Sequence, residues 1–445
     1  MKKNDALIGT CIDYTSEGDG VVKVDDFVFF VSGVIISEKI KFVVTKLNKN
    51  FGYGKLIEII EASKERQEPA CPYFRLCGGC KLQFMSEQEQ TRFKTNLVNN
   101  NLARIGGIDH QIDAFISDTE LYYRNKAQYP VKYIDNQLKM GFYRNHSNDI
   151  VDIDYSMIQK PEINEVYQVI RSLLPQYEFS HYLRHVLIKY ALKHDEIMAV
   201  LIVRSNPMKG IKTFIEQLVI KQPKVVAIIQ NINDNNNNVI LGKKEKLLYG
   251  KATITEQLFD YNFQIASKSF FQVNIKQCER LYSKVLEYAD LNGNETVVDL
   301  YCGVGSISLY LASKAKKVYG VEIVEDAIKN ARINATNNRI TNIEFICDDA
   351  GHYAQRIKDK IKVDLLVVDP PRKGLDALTI DSIHTIAPNK LIYVSCNPAT
   401  LARDLKQLMA DGYQLNRIEA VDMFPLTNHV ETVVLMSRVK VNTMF

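Results

Sequence analysis

A cysteine and several carboxylates stand at the ends of apolar segments of this sequence, where side chains with a chemical function are often placed. Cys396 follows the apolar segment KLIYVS and precedes Asn397 and Pro398, and Asp369 opens DPPRKG after the segment VDLLVV. A thiolate can form a temporary covalent bond with a substrate and divide one difficult reaction into easier steps. The pattern therefore predicts a covalent enzyme mechanism with Cys396 as the nucleophile.

The residues around Asp369 indicate which reaction this is, because an acid followed by two prolines at this place is typical of several nucleic-acid methyltransferases. Enzymes that methylate amino groups have an aromatic residue next, which stacks on the base, whereas this chain has Arg372. RNA cytosine-5 methyltransferases have their nucleophilic cysteine directly after the prolines, and this chain has none there. The remaining reaction uses a cysteine after the next strand, where Cys396 stands, and methylates carbon 5 of a uridine.

Methylation of uracil at carbon 5 needs a nucleophile and a base, because this carbon reacts poorly. A thiolate that adds to carbon 6 makes an enolate that can attack the methyl group of a sulfonium. We expect Arg372 and Lys373 to lower the pKa of Cys396. Glu431 is the expected base for the carbon 5 proton, and His429 is its rival, with an orienting or structural role favoured for the histidine. The target base must also be swung out of its stack.

A glycine loop and two later acids predict the site of the methyl donor. The loop Asp299-Leu-Tyr301-Cys-Gly303-Val-Gly305 follows an apolar strand and lacks the spacing of dinucleotide and P-loop motifs. Glu322 ends the next strand and suits a ribose diol, and Asp348-Asp349 follows the third strand and suits an adenine amino group. This combination is typical of class I S-adenosylmethionine methyltransferases. Cys302, inside the loop, is expected to pack as a small apolar residue.

The elements that must position these residues form an α/β domain. From about Asn294, four apolar strands alternate with helical stretches, which predicts a parallel, doubly wound, Rossmann-like sheet. At the N-terminus, five short apolar segments separated by turns predict a small barrel of the OB type, with another small β-domain as the alternative. These segments are Leu7 to Ile12, Val21 to Val24, Phe27 to Val31, Lys39 to Leu47 and Gly54 to Ile60.

The middle of the chain is predicted to be mostly β-structure after a helix over 86–105, with strands in 121–153, 186–203 and 225–250. Within 121–153 basic and aromatic residues interleave, which fits an RNA-contacting strip or a half-buried sheet with a solvated basic face. We expect three domains, 1–62, 63–255 and 256–445, with part of 84–118 packed on the last of them.

The composition excludes some classes of protein. The 445 residues carry a formal net charge of +4, from 56 basic and 52 acidic side chains, so RNA binding requires a local basic surface. No apolar run approaches the roughly 20 residues that span a bilayer. The start, MKKNDALIGT, lacks the apolar stretch of a signal peptide, and we expect a cytoplasmic location without membrane association. Eight cysteines in such a chain favour metal binding or catalysis over structural disulfides.

Four segments together resemble one family, the bacterial RNA uridine-5 methyltransferases of the TrmA/RumA type, and the resemblance covers nearly the whole chain. The segments are DLYCGVGSISL, DPPRKG, SCNPATLARDL and FPLTNHVETVVLM. The resemblance implies Cys396 as nucleophile and Glu431 as general base. It also implies S-adenosyl-L-methionine as the methyl donor, with its contacts at Gln272 (in FFQVN), Tyr301, Glu322, Asp369 and Asp349.

The resemblance also extends to the N-terminal and central parts. The barrel is similar to the RNA-binding TRAM domain, and Cys71-x5-Cys77-x2-Cys80 is similar to the iron–sulfur segment of the RumA branch (RlmD and RlmCD). The TrmA branch lacks both, so 23S ribosomal RNA is the implied substrate and a [4Fe-4S] cluster the implied cofactor. Ser156 stands where the family has its fourth cluster cysteine. A serine oxygen, water or another group could complete the cluster, zinc would likewise need a fourth ligand, and a vestigial knuckle held by packing is the alternative.

Two other functions stay open. The same chemistry could act on transfer RNA, because RNA choice depends on shape rather than on the catalytic motifs. The chain could instead be a non-catalytic RNA-binding or assembly protein, although a binding role requires neither Cys396 nor Glu431. The residues predict no protein partner.

Overall fold

The computed structural model describes residues 1–118, 121–145, 147–205, 208–235, 237–358 and 360–439. The N-terminal part is a closed barrel in the strand order β1-β2-β3-β5-β4, which confirms the predicted five-stranded barrel. Its interior is filled by alternate residues such as Val22, Phe29 and Phe42. A Cβ atom at Gly52 would lie 2.5 Å from the ring of Phe29, so this wall of the barrel has room only for glycine. The strands are β1 (Ala6–Tyr14), β2 (Gly20–Val24), β3 (Phe27–Val31), β4 (Lys39–Leu47) and β5 (Phe51–Glu61).

A helix and a short strand link the barrel to the C-terminal sheet. Helix α1 (Glu87–Asn101) begins at Ser86, whose side chain accepts a hydrogen bond from the Glu89 amide across 3.2 Å. The chain then continues through one wider turn, Leu102–Gly106. Strand β6 (Ala114–Ile116) pairs with a strand from the far end of the chain, Tyr413–Val421. Residues before the central domain therefore complete the C-terminal sheet.

The central part is one sheet of seven strands in the order β13-β12-β11-β10-β7-β8-β9. Neighbours are antiparallel except β11 and β12, which are parallel because α3 connects them. Helices α2 and α3 share an apolar core with this sheet. The elements are β7 (Lys126–Ile134), β8 (Gln137–Tyr143), β9 (Ile150–Asp152), α2 (Pro161–Leu173), β10 (Leu183–Ala191), β11 (Glu196–Val203), α3 (Ile211–Lys221), β12 (Val225–Ile232) and β13 (Lys244–Gly250).

The C-terminal part begins with a two-stranded hairpin and continues as alternating helices and strands. In order they are β14 (Ile254–Leu258), β15 (Tyr261–Ile265), α4 (Ile275–Ala289), β16 (Thr296–Leu300), α5 (Ser306–Ala312), β17 (Lys317–Glu322), α6 (Glu325–Asn337), β18 (Ile343–Cys347), α7 (Ala350–Ile357), β19 (Leu365–Val368), α8 (Ala377–Ile386), β20 (Lys390–Ser395), α9 (Pro398–Ala410), β21 (Tyr413–Val421) and β22 (Glu431–Arg438).

The C-terminal sheet has eight strands in the order β18-β17-β16-β19-β20-β22-β21-β6. The run from β18 to β20 is parallel, as predicted, and β22 is antiparallel to β20. Apolar clusters cover both faces, and the same core includes Leu187 and Val200 of the central sheet. The strand order reverses between β16 and β19, which is where open α/β sheets bind ligands at their carboxyl edge. Within the described ranges, no helix has both the length and the apolarity to cross a membrane.

Candidate active site

The loop between β16 and α5 turns tightly over the carboxyl edge of the sheet. Tyr301, Gly303 and Gly305 all have positive φ, at 66°, 56° and 82°. A Cβ atom on Gly305 would lie 2.6 Å from the ring of Phe345, so only glycine allows this close approach. A bulky residue with positive φ, such as Tyr301, is an outlier that surrounding structure must hold in place.

A cavity of about 60 Å³, called the donor cavity below, lies beneath this loop. It is lined by three of the five residues that are predicted to contact the methyl donor. Gln272, Tyr301 and Asp369 line it directly. Glu322 does not line it, but its carboxylate accepts a hydrogen bond from the Gly303 amide at 3.3 Å. Asp349 caps α7, where its side chain accepts from two backbone amides. The other lining residues are Leu258, Phe270, Phe271, Cys278, Tyr282, Cys302, Gly303, Val304 and Ser306.

Two acids in or near this cavity have pKa values that burial raises. Asp369 is half-buried in the cavity wall, and burial of its carboxyl group raises its pKa to about 7. Burial likewise raises the pKa of Asp299 to about 7, although Ser308 donates a hydrogen bond to that carboxyl group. Burial also raises the pKa of Cys302 well above its ordinary value. Cys302 is 7% exposed, as expected for a residue that packs rather than reacts.

The register between β20 and β22 brings the predicted nucleophile and base together. Ser395 pairs with Thr432, so Cys396 and Glu431 each lie one residue beyond this pair on neighbouring strands. Cys396 is half-buried and Glu431 is only 7% exposed. Cys396 also precedes Asn397, whose side chain caps α9 by accepting from the Ala399 amide at 3.1 Å. Strand pairing and helix capping together hold the thiol at this edge.

The predicted lowering of the Cys396 pKa is wrong for this site. Burial raises the pKa of Cys396 to about 11, and the carboxylates of Glu431 and Asp369 raise it further. Arg372 acts in the opposite direction, as expected, but does not outweigh burial. Burial also raises the pKa of Glu431 well above its ordinary value, with Asp369 adding to this effect and Arg372 opposing it. Burial therefore shifts the pKa of both groups upward, against the ionised form that each would use.

Arg372 joins the acid-proline loop to the cysteine segment and to His429. Its carbonyl oxygen accepts from Asn397 Nδ2 at 2.9 Å, and its guanidinium lies 3.2 Å from His429 Nε2. Burial and Arg372 lower the pKa of His429 to about 4. His429 is therefore neutral near pH 7 and can accept a hydrogen bond from Arg372.

Two features of the site had not been predicted from the sequence. Phe270 lines the cavity and is 68% exposed, which is unusual for an aromatic side chain at the rim of a site. Lys94 of α1 is fully buried and pairs with Asp422 at 2.6 Å, between β21 and the predicted base. The segment FFQVN was a signal for Phe270, whereas no local pattern marks Lys94 as a contact of Asp422.

The three clustered cysteines and Ser156 line a second cavity of about 260 Å³. Burial raises the pKa of all three thiols, to about 12 for Cys80. In the described part of the chain, no group of three or more His, Cys, Asp or Glu side chains is arranged to hold a single metal ion.

Known proteins are similar to this chain along nearly its whole length. A family model described as tRNA (uracil-5-)-methyltransferase matches residues 86–439. An uncharacterized RNA methyltransferase of Clostridium acetobutylicum is 43% identical over 452 residues, which cover 99% of this chain and 98% of that protein. One of Staphylococcus aureus is 42% identical over 449 residues, which cover 98% and 99%. A crystal structure of the Pyrococcus abyssi tRNA (uracil-54, C5)-methyltransferase with S-adenosyl-L-homocysteine has a TM-score of 0.77 at 25% identity, covering 97% of this chain and 99% of that one.

Proposed function

Because the chain belongs to the tRNA (uracil-5-)-methyltransferase family, we propose that it methylates carbon 5 of a specific uridine in 23S ribosomal RNA through a covalent bond from Cys396 to carbon 6. The family makes it an S-adenosylmethionine-dependent RNA methyltransferase. The observation that best supports the covalent route is the Ser395–Thr432 pair, after which Cys396 and Glu431 stand next in line on the two neighbouring strands. Asp369, which lines the donor cavity, raises the pKa of both residues.

The donor cavity supplies the contacts that a methyl donor needs. Gln272, Tyr301 and Asp369 would hold S-adenosyl-L-methionine, with Glu322 and Asp349 as further contacts at the next two strand ends. When bound, this molecule supplies an electrophilic methyl group. Glu322 also fixes the glycine loop through the Gly303 amide. The loop after β16, Asp369 after β19 and Cys396 after β20 all lie at the carboxyl edge of the same parallel strands.

Cys396 begins the reaction as a thiolate that adds to carbon 6 of uracil. Its thiol must first lose a proton to solvent, and Arg372 lowers the cost of this step by lowering the pKa. The enolate carbon 5 would then take the methyl group of the donor, whose carbon–sulfur bond breaks to leave a neutral thioether. Glu431 removes the proton left on carbon 5. The electrons of that C–H bond restore the C5–C6 double bond and expel the Cys396 thiolate. Glu431 acts in its ionised form, and the raised pKa makes that carboxylate a stronger base for this proton.

Phe270 is suited to the RNA side of the site. An exposed aromatic ring at the cavity rim can stack on a base, and stacking helps to hold a nucleotide that has left its helix. We assign Phe270 to this role next to the target uridine.

The choice of 23S ribosomal RNA rests on the N-terminal part of the chain. The barrel, which we interpret as a TRAM domain, and the cysteine segment both precede the residues that match the family model. Transfer RNA is the second candidate, because the Pyrococcus abyssi enzyme acts on tRNA and matches 97% of this chain. Mapping of 5-methyluridine in ribosomal and transfer RNA, from cells with and without this gene, distinguishes the two. Loss from tRNA alone would contradict the ribosomal assignment.

We further propose that Cys71, Cys77 and Cys80 would hold a [4Fe-4S] cluster, with Ser156 as the candidate fourth ligand. Arg124 and Lys126 line the same cavity, so cationic side chains are available to an anionic group. Such a cluster would fix the conformation of the segment that carries the cysteines. Anaerobic purification followed by iron and sulfide analysis tests this, and iron at background level would contradict it.

The covalent route is tested with RNA that carries 5-fluorouridine at the target. A base can remove hydrogen from carbon 5 as a proton, but it cannot remove fluorine in the same way. The adduct to Cys396 should therefore persist and survive denaturation. Absence of a denaturation-resistant adduct, with the donor bound and the correct RNA, would contradict the covalent mechanism.

A further inference from the structure

Loop 422–430, which leads from β21 to Glu431, is held by elements outside the C-terminal sheet. The carbonyl oxygen of Phe424 accepts from Lys94 Nζ at 3.2 Å, and that of Pro425 from the Tyr123 hydroxyl at 3.1 Å. The carbonyl oxygen of Leu426 accepts from the backbone amides of Lys81 and Leu82, at 2.9 and 3.0 Å. Three consecutive carbonyl groups are thus held by α1, by the cysteine segment and by the start of the central domain.

The conformation of this loop depends on those contacts. Leu426 has a φ of 65°, in a region that side chains such as leucine rarely adopt without support. Its amide donates to Gln90 Oε1 at 3.2 Å, and its side chain is 2% exposed. Glu431 follows five positions later, so its placement depends on how firmly loop 422–430 is held.

The barrel reaches the same loop through the turn between β1 and β2. Asn428 is 8% exposed, and its Nδ2 lies 3.3 Å from the carbonyl oxygen of Ser16 and 3.4 Å from Glu17 Oε2. Glu17 Oε2 also accepts from Lys81 Nζ at 2.7 Å. Since the Lys81 amide donates to Leu426, the Glu17 carboxylate supports loop 422–430 at two points: Asn428 directly, and Leu426 through Lys81.

We propose that Glu17 of the barrel is a positioning residue for Glu431, so that the barrel takes part in the chemical step as well as in RNA binding. This inference rests on the proposed function. Its physical basis is that a general base must lie within a few tenths of an ångström of its working position, and small displacements lower the rate strongly. Glu17 and Asn428 connect the barrel to the loop three residues before Glu431.

The negative charge of Glu17 allows the positioning role to be distinguished from a role in RNA binding. A carboxylate repels phosphate groups, so its removal should leave RNA affinity unchanged or increase it. A merely structural role is also distinguishable. The Glu17 side chain is 62% exposed, and exposed ion pairs contribute little to stability, so variants at this position should fold.

The test compares full-length Glu17→Ala, Glu17→Gln and Asn428→Ala with the wild-type enzyme and with Glu58→Ala. Glu58 is an exposed acid on β5, so its removal makes the same change in barrel charge away from loop 422–430. Single-turnover methylation of unmodified target RNA, RNA affinity and the thermal midpoint are measured for each variant.

We expect Glu17→Ala and Asn428→Ala to lower the single-turnover rate about tenfold, because Glu431 is displaced while RNA still binds. Glu17→Gln keeps an oxygen that can accept from Asn428 and Lys81, and should recover part of the rate. Glu58→Ala should match the wild type. Because elimination requires the base, the methylated covalent adduct should accumulate with ordinary uridine in the two impaired variants and be visible on a denaturing gel.

Two results would overturn the inference: wild-type rates in Glu17→Ala and Asn428→Ala, or weaker RNA affinity with an unchanged single-turnover rate. A lower thermal midpoint without adduct accumulation would assign Glu17 a structural role only. Failure of the proposed function is distinguishable, because the wild-type enzyme would then form no adduct with 5-fluorouridine RNA.

Discussion

Thr432 donates its side-chain hydroxyl to the carbonyl oxygen of Ser395 across 3.2 Å, at the last pair where β20 and β22 run side by side. Beyond this pair the strands part, and Cys396 and Glu431 occupy the two ends. The proposed nucleophile and the proposed base are therefore placed by strand register, which is rigid, rather than by a flexible loop alone.

Replacement of Cys396 by alanine should abolish methylation and leave RNA affinity largely unchanged, because the thiol makes the covalent bond but is not needed for phosphate contacts. Methyl transfer from labelled donor and a filter-binding titration measure the two effects. Cys347→Ala is the matched control, since Cys347 is exposed and lies at the end of β18. Methylation by the Cys396→Ala variant would show that the mechanism is wrong.

Replacement of Glu431 by glutamine should lower turnover by roughly a hundredfold or more, because the amide keeps the shape of the side chain but cannot accept the carbon 5 proton. Methyl transfer to the adduct should still occur, so an RNA-linked form of the enzyme should accumulate with ordinary uridine. His429→Gln is the comparison, since His429 is expected only to orient Arg372. If His429→Gln accumulated the adduct and Glu431→Gln did not, the roles of the two residues would be reversed.

The rate of adduct formation should rise with pH from neutrality into the alkaline range, because the pKa of Cys396 is about 11 and the thiolate is the reactive form. Arg372 lowers this pKa, so Arg372→Gln should raise it and reduce the thiolate fraction at any given pH. The rate curve should therefore move to higher pH. It is measured with 5-fluorouridine RNA at single turnover, and a curve that Arg372→Gln leaves in place would exclude this electrostatic role.

Replacement of Lys94 by methionine should lower the free energy of unfolding by about 3–5 kcal/mol, because Asp422 would keep a buried charge without its partner. Lys94 is fully buried, and its Nζ lies 2.6 Å from Asp422 Oδ1. Urea unfolding measures the change. The double variant Lys94→Met with Asp422→Leu removes both charges and should recover most of the lost free energy of unfolding. Equal losses in the single and the double variant would indicate a packing effect.

Replacement of Ser156 by cysteine should increase the iron and sulfide retained per chain after anaerobic purification. Ser156 lines the same cavity as the three cysteines, so a fourth thiolate there could bind the remaining iron more firmly than a hydroxyl group. Cys80→Ala is the opposing control and should lose the cluster. Identical iron content in the wild type, Ser156→Cys and Cys80→Ala would mean that the cavity holds no cluster.

The sequence by itself determined the architecture of the C-terminal part and the positions of its candidate chemical residues. Strands buried on both faces must be continuously apolar, and glycines or acids directly after them must lie at the carboxyl edge of a parallel sheet. Cys396, Asp369 and the loop at Tyr301 could be found for this reason. Five short, turn-separated strands likewise indicated the barrel, because apolar residues that alternate over so short a length can be buried in few other ways.

Only the tertiary structure decided the electrostatics of the site and the support of Glu431. The pKa of Cys396 depends on burial and on carboxylates that are distant in sequence, and these outweigh the neighbouring Arg372. Lys94 and Asp422 are separated by 328 positions, and Glu17 and Asn428 by 411, so no local pattern could pair them. Local sequence patterns report secondary structure and strand ends, whereas charge balance and loop support arise from contacts between segments that fold together only in three dimensions.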